Sequence, residues 1–287
     1  MILQKKSTSQ MTEMSEREFD FTGEDFNLLR KLVNEHTGIR LSEHKQEMLY
    51  SRLSRRLRAL NLKSFSTYYK LLKTDGGEEL VHFINAVTTN LTAFFREPHH
   101  FEWLEKELLP KLIVKKQTTR RIRIWSAGCA TGEEAYSIAM VIKKVVPSNW
   151  DVKILATDLD SQVLATARQG IYDEEKISGV SSARLKRWFK KGRDTQEGTV
   201  QVLPELQRLI SFKHLNLMHK WPMRGPFDMI FCRNVAIYFD KDTQKILFER
   251  FANFVDNDGY LLIGHSENLF QLTTSFRLLR QTVYIKC

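Results

Sequence analysis

From Arg121 onward the chain alternates short β-rich runs with amphipathic helical segments, and that alternation leaves few folds open. Runs at 121–126, 152–157, 210–214, 227–233 and 259–265 are apolar or alternating, while 133–146 and 161–168 between them carry helical periodicity. Parallel strands need a long crossover, usually a helix, so the pattern predicts a mostly parallel sheet with helices on both faces. Two last runs, 276–279 and 282–287 around Arg280-Gln281, predict an antiparallel terminal hairpin.

The stretch before Arg121 carries helical punctuation only. Thr22-Gly-Glu-Asp25 has capping-box spacing, with Phe21 and Phe26 at the positions of a hydrophobic staple. Leu49, Leu53, Leu57 and Leu60 form one stripe of a helix starting near Ser42, and further helices are expected over 64–73, 77–89 and 97–115. The reading is a polar tail over 1–20, expected to be mobile, a helical domain over 21–115 and an α/β domain over 116–287. Two domains suit 287 residues at roughly 150 per domain. One interval of the α/β domain is too long: some 40 residues separate the helix ending near Arg168 from the run at 210, where about 2–6 are usual. An inserted β-subdomain is expected over 170–209, with strands at 185–190 and 199–203.

Composition narrows the function classes. Forty-four Lys and Arg against 34 Asp and Glu give a formal charge of +10, which favours an acidic partner without choosing among nucleic acid, lipid and protein. No apolar run approaches the ~18 residues of a membrane span, and the first residues lack the apolar core of a signal peptide. Three scattered cysteines, Cys129, Cys232 and Cys287, fit neither a disulfide framework nor a zinc site, so a cytoplasmic setting without a metal is expected.

The chemistry-bearing residues gather at strand ends. The run 121–125 leads through Ser126-Ala-Gly-Cys-Ala-Thr-Gly-Glu-Glu134 into a helix, and such a turn lets a ligand approach the backbone. Glu133 and Glu134 at the helix start repel phosphate and attract an ammonium group. That favours S-adenosylmethionine, which carries an amine, over a dinucleotide. The next run ends Ala156-Thr-Asp158-Leu-Asp160, where an acid can accept both ribose hydroxyls; Asp158 lies nearer the strand end and Asp160 reads as a helix cap. Arg233, Asn234 and Tyr238 follow the strand at 227–233, again at the end where open α/β sheets bind ligands.

Taken together, Phe231-Cys-Arg-Asn-Val-Ala-Ile-Tyr-Phe239, Gly128-Cys-Ala-Thr-Gly-Glu-Glu134, Ala156-Thr-Asp-Leu-Asp160, Gly264-His-Ser-Glu267 and Thr88-Thr-Asn-Leu-Thr-Ala-Phe-Phe-Arg-Glu97 resemble the signatures of CheR-type chemotaxis receptor methyltransferases. The resemblance covers nearly the whole chain from about residue 20. It implies a Rossmann-like class I methyltransferase sheet, an N-terminal all-α domain and an inserted β-subdomain. It also implies methylation of receptor glutamates by S-adenosylmethionine, with S-adenosylhomocysteine as product, in a monomer recruited to membrane receptors. By the same resemblance Asn90, Thr92 and Arg96 reach the cofactor from the helical side. Glu134 meets its amine, Asp158 its ribose, Asn216 and Leu217 its adenine, and Arg233 and Asn234 its methionine end, beside Gly128.

A glutamate carboxylate is already ionised near neutral pH, so the reaction needs placement and desolvation rather than a strong base. Arg96 and Tyr238 are placed to orient it. Asn234-Val-Ala-Ile lacks the two prolines of amino-group methyltransferases, which leaves methylation of a nucleic-acid amino group or a protein amide as the second enzyme reading. His265-Ser266-Glu267 cannot form a hydrolase triad, because adjacent strand residues face opposite ways. For receptor docking the basic candidates are Arg52, Arg55 and Arg56 on the second helix, and Lys190 and Lys191 in the insertion, whose strand edge can accept an extended receptor C-terminal peptide. No nucleic-acid partner is expected.

Overall fold

A computed structural model of the chain describes residues 17–75 and 77–287. The tail expected over 1–20 therefore lies mostly outside the described residues, but its end is packed. Arg17 pairs with Glu47 and lies 5.0 Å over the Tyr50 ring, and Phe19 meets Phe65 edge-on.

Four helices build the N-terminal unit: α1 (Gly23–Thr37), α2 (Gln46–Ala59), α3 (Phe65–Thr74) and α4 (Glu78–Val87). The capping box forms as its spacing predicts, with Asp25 N–H donating to Thr22 Oγ1 and Thr22 N–H to Asp25 Oδ2, both at 3.0 Å. Phe21 and Phe26 meet edge-on, closing the staple. The leucine stripe of α2 enters the core, with Leu49, Leu53 and Leu57 fully buried among Leu29, Phe65, Tyr68 and Phe83.

α1 stops at Gly38 in the left-handed region (φ 74°), its N–H bonded to Asn34 C=O. A Cβ there would stand 2.7 Å from Met218 Cγ, so this glycine also lets the helical unit approach the sheet. Arg40 N–H to Tyr238 C=O (2.8 Å) and Asn216 Nδ2 to His36 C=O (2.7 Å) pin the same turn.

The α/β unit is a seven-stranded sheet of β1 (Arg121–Ala127), β2 (Asp151–Asp158), β6 (Ile210–His214), β7 (Phe227–Cys232), β8 (Val255–Ile263), β9 (Phe276–Arg280) and β10 (Val283–Lys286), in the order β6-β2-β1-β7-β8-β10-β9. The first five run parallel, and β10 is antiparallel to both β8 and β9, which is the expected hairpin. Every residue of β7 is buried, as a strand covered on both faces requires. One face packs on α7 (Glu133–Val145), while α11 (Lys241–Phe254) supplies Leu247, Phe248 and Phe251 to the other, against Trp125. α8 (Ser161–Gln169) follows β2. Among the described residues no helix is long and apolar enough to cross a membrane.

Two expectations need correction. The segment 97–115, grouped with the helical domain by its punctuation, forms α5 (Pro98–Trp103), one π-helical stretch and α6 (Leu109–Lys115), yet Phe101, Leu104, Leu108 and Leu112 join the core of the sheet. Periodicity identifies a helix but not which core receives its stripe. In the insertion, β3 (Ile171–Asp173), β4 (Phe189–Lys191) and β5 (Thr199–Val202) form a separate antiparallel sheet ordered β3-β5-β4. The strand expected at 185–190 is helical up to Trp188 in α9 (Ser182–Trp188), and a short helix α10 (Pro204–Gln207) closes the insertion.

Candidate active site

A cavity of about 570 Å³ opens where β1, β2 and β7 end against the helical unit. Asn90, Thr92, Arg96, Gly128, Glu134, Asp158, Asn216, Leu217, Arg233, Asn234 and Tyr238 all lie on its wall, so residues 148 positions apart in sequence meet at one place. The helical unit adds Ile39, Arg40, Leu41, Ser42, Lys45 and Met48.

The glycine turn is tied to the end of β2. Gly128 and Cys129 N–H groups share Thr157 C=O at 2.8 and 2.9 Å. Gly128 has φ +92°, and a Cβ on it would stand 2.3 Å from Val235 Cγ2, so only glycine lets the turn pass the loop after β7. Asp158 accepts Ala130 N–H (2.8 Å) on one oxygen and Asp160 N–H (3.0 Å) on the other. Burial pushes its carboxyl above the usual range, against the pull of those N–H groups. Each oxygen keeps a lone pair for a further donor. Asp160 is the N-cap of α8, bonded to Gln162 N–H, while its second oxygen accepts Thr88 Oγ1 and Asn90 Nδ2, both at 2.8 Å. Of the two aspartates, Asp158 alone lines this cavity.

Glu134 accepts Ser126 Oγ at 2.7 Å and pairs with Arg233 Nη1 at 3.0 Å. Arg233 is buried, donates to Arg96 C=O at 2.5 Å, lies 3.3 Å from Glu97 Oε2 and sits 5.6 Å over the Phe101 ring. It therefore braces the Arg96 segment against the glycine turn. Arg96 itself stands between two residues in the left-handed region, Phe95 (φ 55°) and Glu97 (φ 57°), a backbone that costs about 1–3 kcal/mol at each non-glycine position. Arg96 Nη1 donates to Leu91 C=O at 2.7 Å. Tyr238 is half-buried on the cavity wall rather than a core aromatic.

Two carboxylates that position this site carry no signal that periodicity or charge counting detects. Glu267 accepts the N–H groups of Asn234 (2.9 Å), Val235 (3.0 Å), Ile237 (3.2 Å) and Gly264 (2.5 Å), and so fixes the loop bearing Asn234 and Tyr238. Burial pushes its carboxyl up, against those four donors. Glu97 bonds His265 Nδ1 at 2.9 Å; burial raises its carboxyl, but His265 and Arg233 overcome that and hold it at about 2. Both glutamates stand inside the motifs above, but apart from Gly264 these partners lie 30 or more residues away, in loops without periodicity.

The docking candidates divide. Arg52 donates to Ala86, Val87 and Thr88 C=O, and Arg56 forms a two-toothed pair with Glu79 (2.9 and 2.5 Å), so both have structural occupations. Arg55 is exposed. All three border a second depression, of about 500 Å³, with His82, Asn85 and Asp160. Lys190 and Lys191 are exposed on β4, which pairs with β5 alone among the described strands, and Lys191 meets Glu174 at 3.2 Å.

The residues present fit S-adenosylmethionine. The volume is that of a small-molecule pocket, Gly128 leaves backbone open to close approach, and Glu134 and Asp158 offer acceptors at successive strand ends. Glu97, His99 and His100 also bring ligand atoms within 4.8 Å of one another, but the Arg233 guanidinium beside them repels a cation.

Comparison with known proteins agrees with this geometry. Residues 24–88 match the family described as the CheR methyltransferase all-alpha domain, and residues 90–285 the CheR methyltransferase S-adenosylmethionine-binding domain. Chemotaxis protein methyltransferase 2 of Pseudomonas aeruginosa is 44% identical over 93% of this chain and 95% of its own. The chemotaxis protein methyltransferase of Escherichia coli is 42% identical over 96% and 95%, and that of Borreliella burgdorferi 42% over 87% and 90%.

Proposed function

This chain belongs to the CheR methyltransferase family, with S-adenosylmethionine as its cofactor, and we propose that it methylates glutamate side chains of chemotaxis receptors to methyl esters. The observation that carries the carboxylate as acceptor is the charge left over in the cavity. Arg40, Lys45 and Arg96 line it and form no ion pair with any described residue. Glu134 is engaged by Arg233, and Asp158 by two N–H groups. An acidic side chain is drawn to such a wall. A neutral protein amide gains no such attraction, which weighs against it as the acceptor.

When bound, the cofactor supplies a sulfonium methyl that is already electrophilic. What remains for the protein is placement, worth several kcal/mol of barrier, and partial exclusion of water. In this reading Glu134 and Asp158 hold the cofactor's amine and ribose hydroxyls, with Asn90, Thr92, Asn216, Leu217 and Asn234 around them. Arg233 keeps Glu134 oriented. Arg96, fixed through Leu91 C=O, and the Tyr238 hydroxyl orient the acceptor carboxylate without binding it so tightly that its nucleophilicity is quenched. Arg55 and the β4 lysines receive the receptor, the former along its helices and the latter at a C-terminal peptide.

Incubation of the enzyme with a receptor cytoplasmic fragment and methyl-labelled cofactor tests this. The label should leave as volatile methanol under mild alkali. Label that survives alkali would overturn the carboxylate assignment.

A further inference from the structure

Two large apolar side chains on the cavity wall face solvent. Leu91 is 78% exposed and Ile237 46% exposed. Exposed leucines are common, and one alone carries no meaning. These two differ in how their backbones are held. Leu91 gives its carbonyl to the Arg96 guanidinium at 2.7 Å, and Ile237 gives its N–H to Glu267 at 3.2 Å. They come from distant parts of the chain, one preceding α5 and the other following β7, and both anchors belong to the site described above. Holding a large apolar side chain out in water stabilises nothing in the free enzyme. It is useful only when something covers it.

We propose that Leu91 and Ile237 form an apolar clamp at the mouth of the active site that seats apolar side chains flanking the target glutamate. The occupant is an acidic segment of the substrate protein. Its carboxylates answer the unpaired Arg40, Lys45 and Arg96 on the same wall, and its apolar neighbours fill the space between the two lips. The carboxylate then enters a mouth from which the clamp has removed water, which serves the desolvation the reaction needs. Substrate choice thus rests on the residues beside the glutamate as well as on charge.

This inference rests on the carboxylate reading, and the two fail differently. Leu91→Ser and Ile237→Ser should each raise KM for a receptor cytoplasmic fragment about tenfold, while calorimetry gives wild-type affinity for S-adenosylhomocysteine. Leu91→Met, which keeps the apolar contact, should restore a wild-type KM. Serine variants that melt like wild type and keep its KM overturn the clamp, as do variants that lose cofactor affinity instead. If the wild-type label proves alkali-stable while the serine variants still raise KM, the clamp stands and the acceptor assignment falls.

Discussion

α2 and β4 both read in sequence as basic surfaces for an acidic partner, and the structure separates them. On α2, Arg52 caps the end of α4 and Arg56 neutralises the buried Glu79, which also accepts the Tyr68 hydroxyl at 2.8 Å. On β4, Lys190 has no ion-pair partner among the described residues and Lys191 reaches only a surface glutamate. A helix places neighbouring elements along its flanks, so its arginines find carbonyls and carboxylates there. An edge strand has nothing on its outer side. Counting charges cannot distinguish these cases; the elements that flank the charges can.

The largest consequence should appear at Arg56. Arg56→Glu sets two carboxylates against each other around a residue only 7% exposed at its side chain, and urea unfolding should show a loss of about 3 kcal/mol. Unchanged stability would return Arg56 to the docking surface. Next comes alkali. Burial, and then the bond to Glu79, raise the Tyr68 hydroxyl above its ordinary 10.0. The unfolded chain therefore loses that proton first, and stability should fall as pH rises past about 10, by up to roughly 1.4 kcal/mol per pH unit. Tyr68→Phe should flatten that part of the curve, and an identical slope in the variant would place the titration elsewhere.

On the other side of the comparison, stability should not move but binding should. Lys190→Glu with Lys191→Glu should weaken an isolated acidic receptor C-terminal peptide about tenfold in fluorescence anisotropy, with melting unchanged. Equal affinity would leave β4 as a solvated edge. The smallest effect belongs to Arg55→Glu, a few-fold loss of receptor methylation at low salt. The gap to wild type should close at high salt, because exposed charges are screened beyond ~3 Å at 1 M. A salt-independent loss would point to a structural role like that of Arg56.

The alternation after Arg121 revealed the sheet, and the strand ends revealed the cavity, because both are written in local pattern. Gly128, Asp158 and Asn234 stand at positions where the chain must turn and a ligand can reach it. Glu97 and Glu267 were not legible in that way, since their work is to hold backbone from distant segments. Nor was the left-handed pair around Arg96 visible: phenylalanine favours strands and cores, and the surrounding contacts, the Phe95 N–H donating to Ser137 Oγ among them, hold it there. The allegiance of 97–115 failed for the same reason, as an apolar stripe does not name its partner.

A parallel sheet closes without the insertion, but Tyr172 on β3 ties the insertion to the cofactor turn. Its hydroxyl donates to Thr131 C=O at 2.7 Å and would lie 3.2 Å from a Cβ on Gly132, while its ring meets Phe94 edge-on. Thr131 and Gly132 form the second half of the cofactor turn. Excising the insertion removes a wall of the turn as well as the peptide edge, so the activity such a truncation loses mixes two causes. Grafting this module onto another methyltransferase would require transplanting its foundation too: a small residue where Gly132 stands, and an aromatic neighbour where Phe94 does.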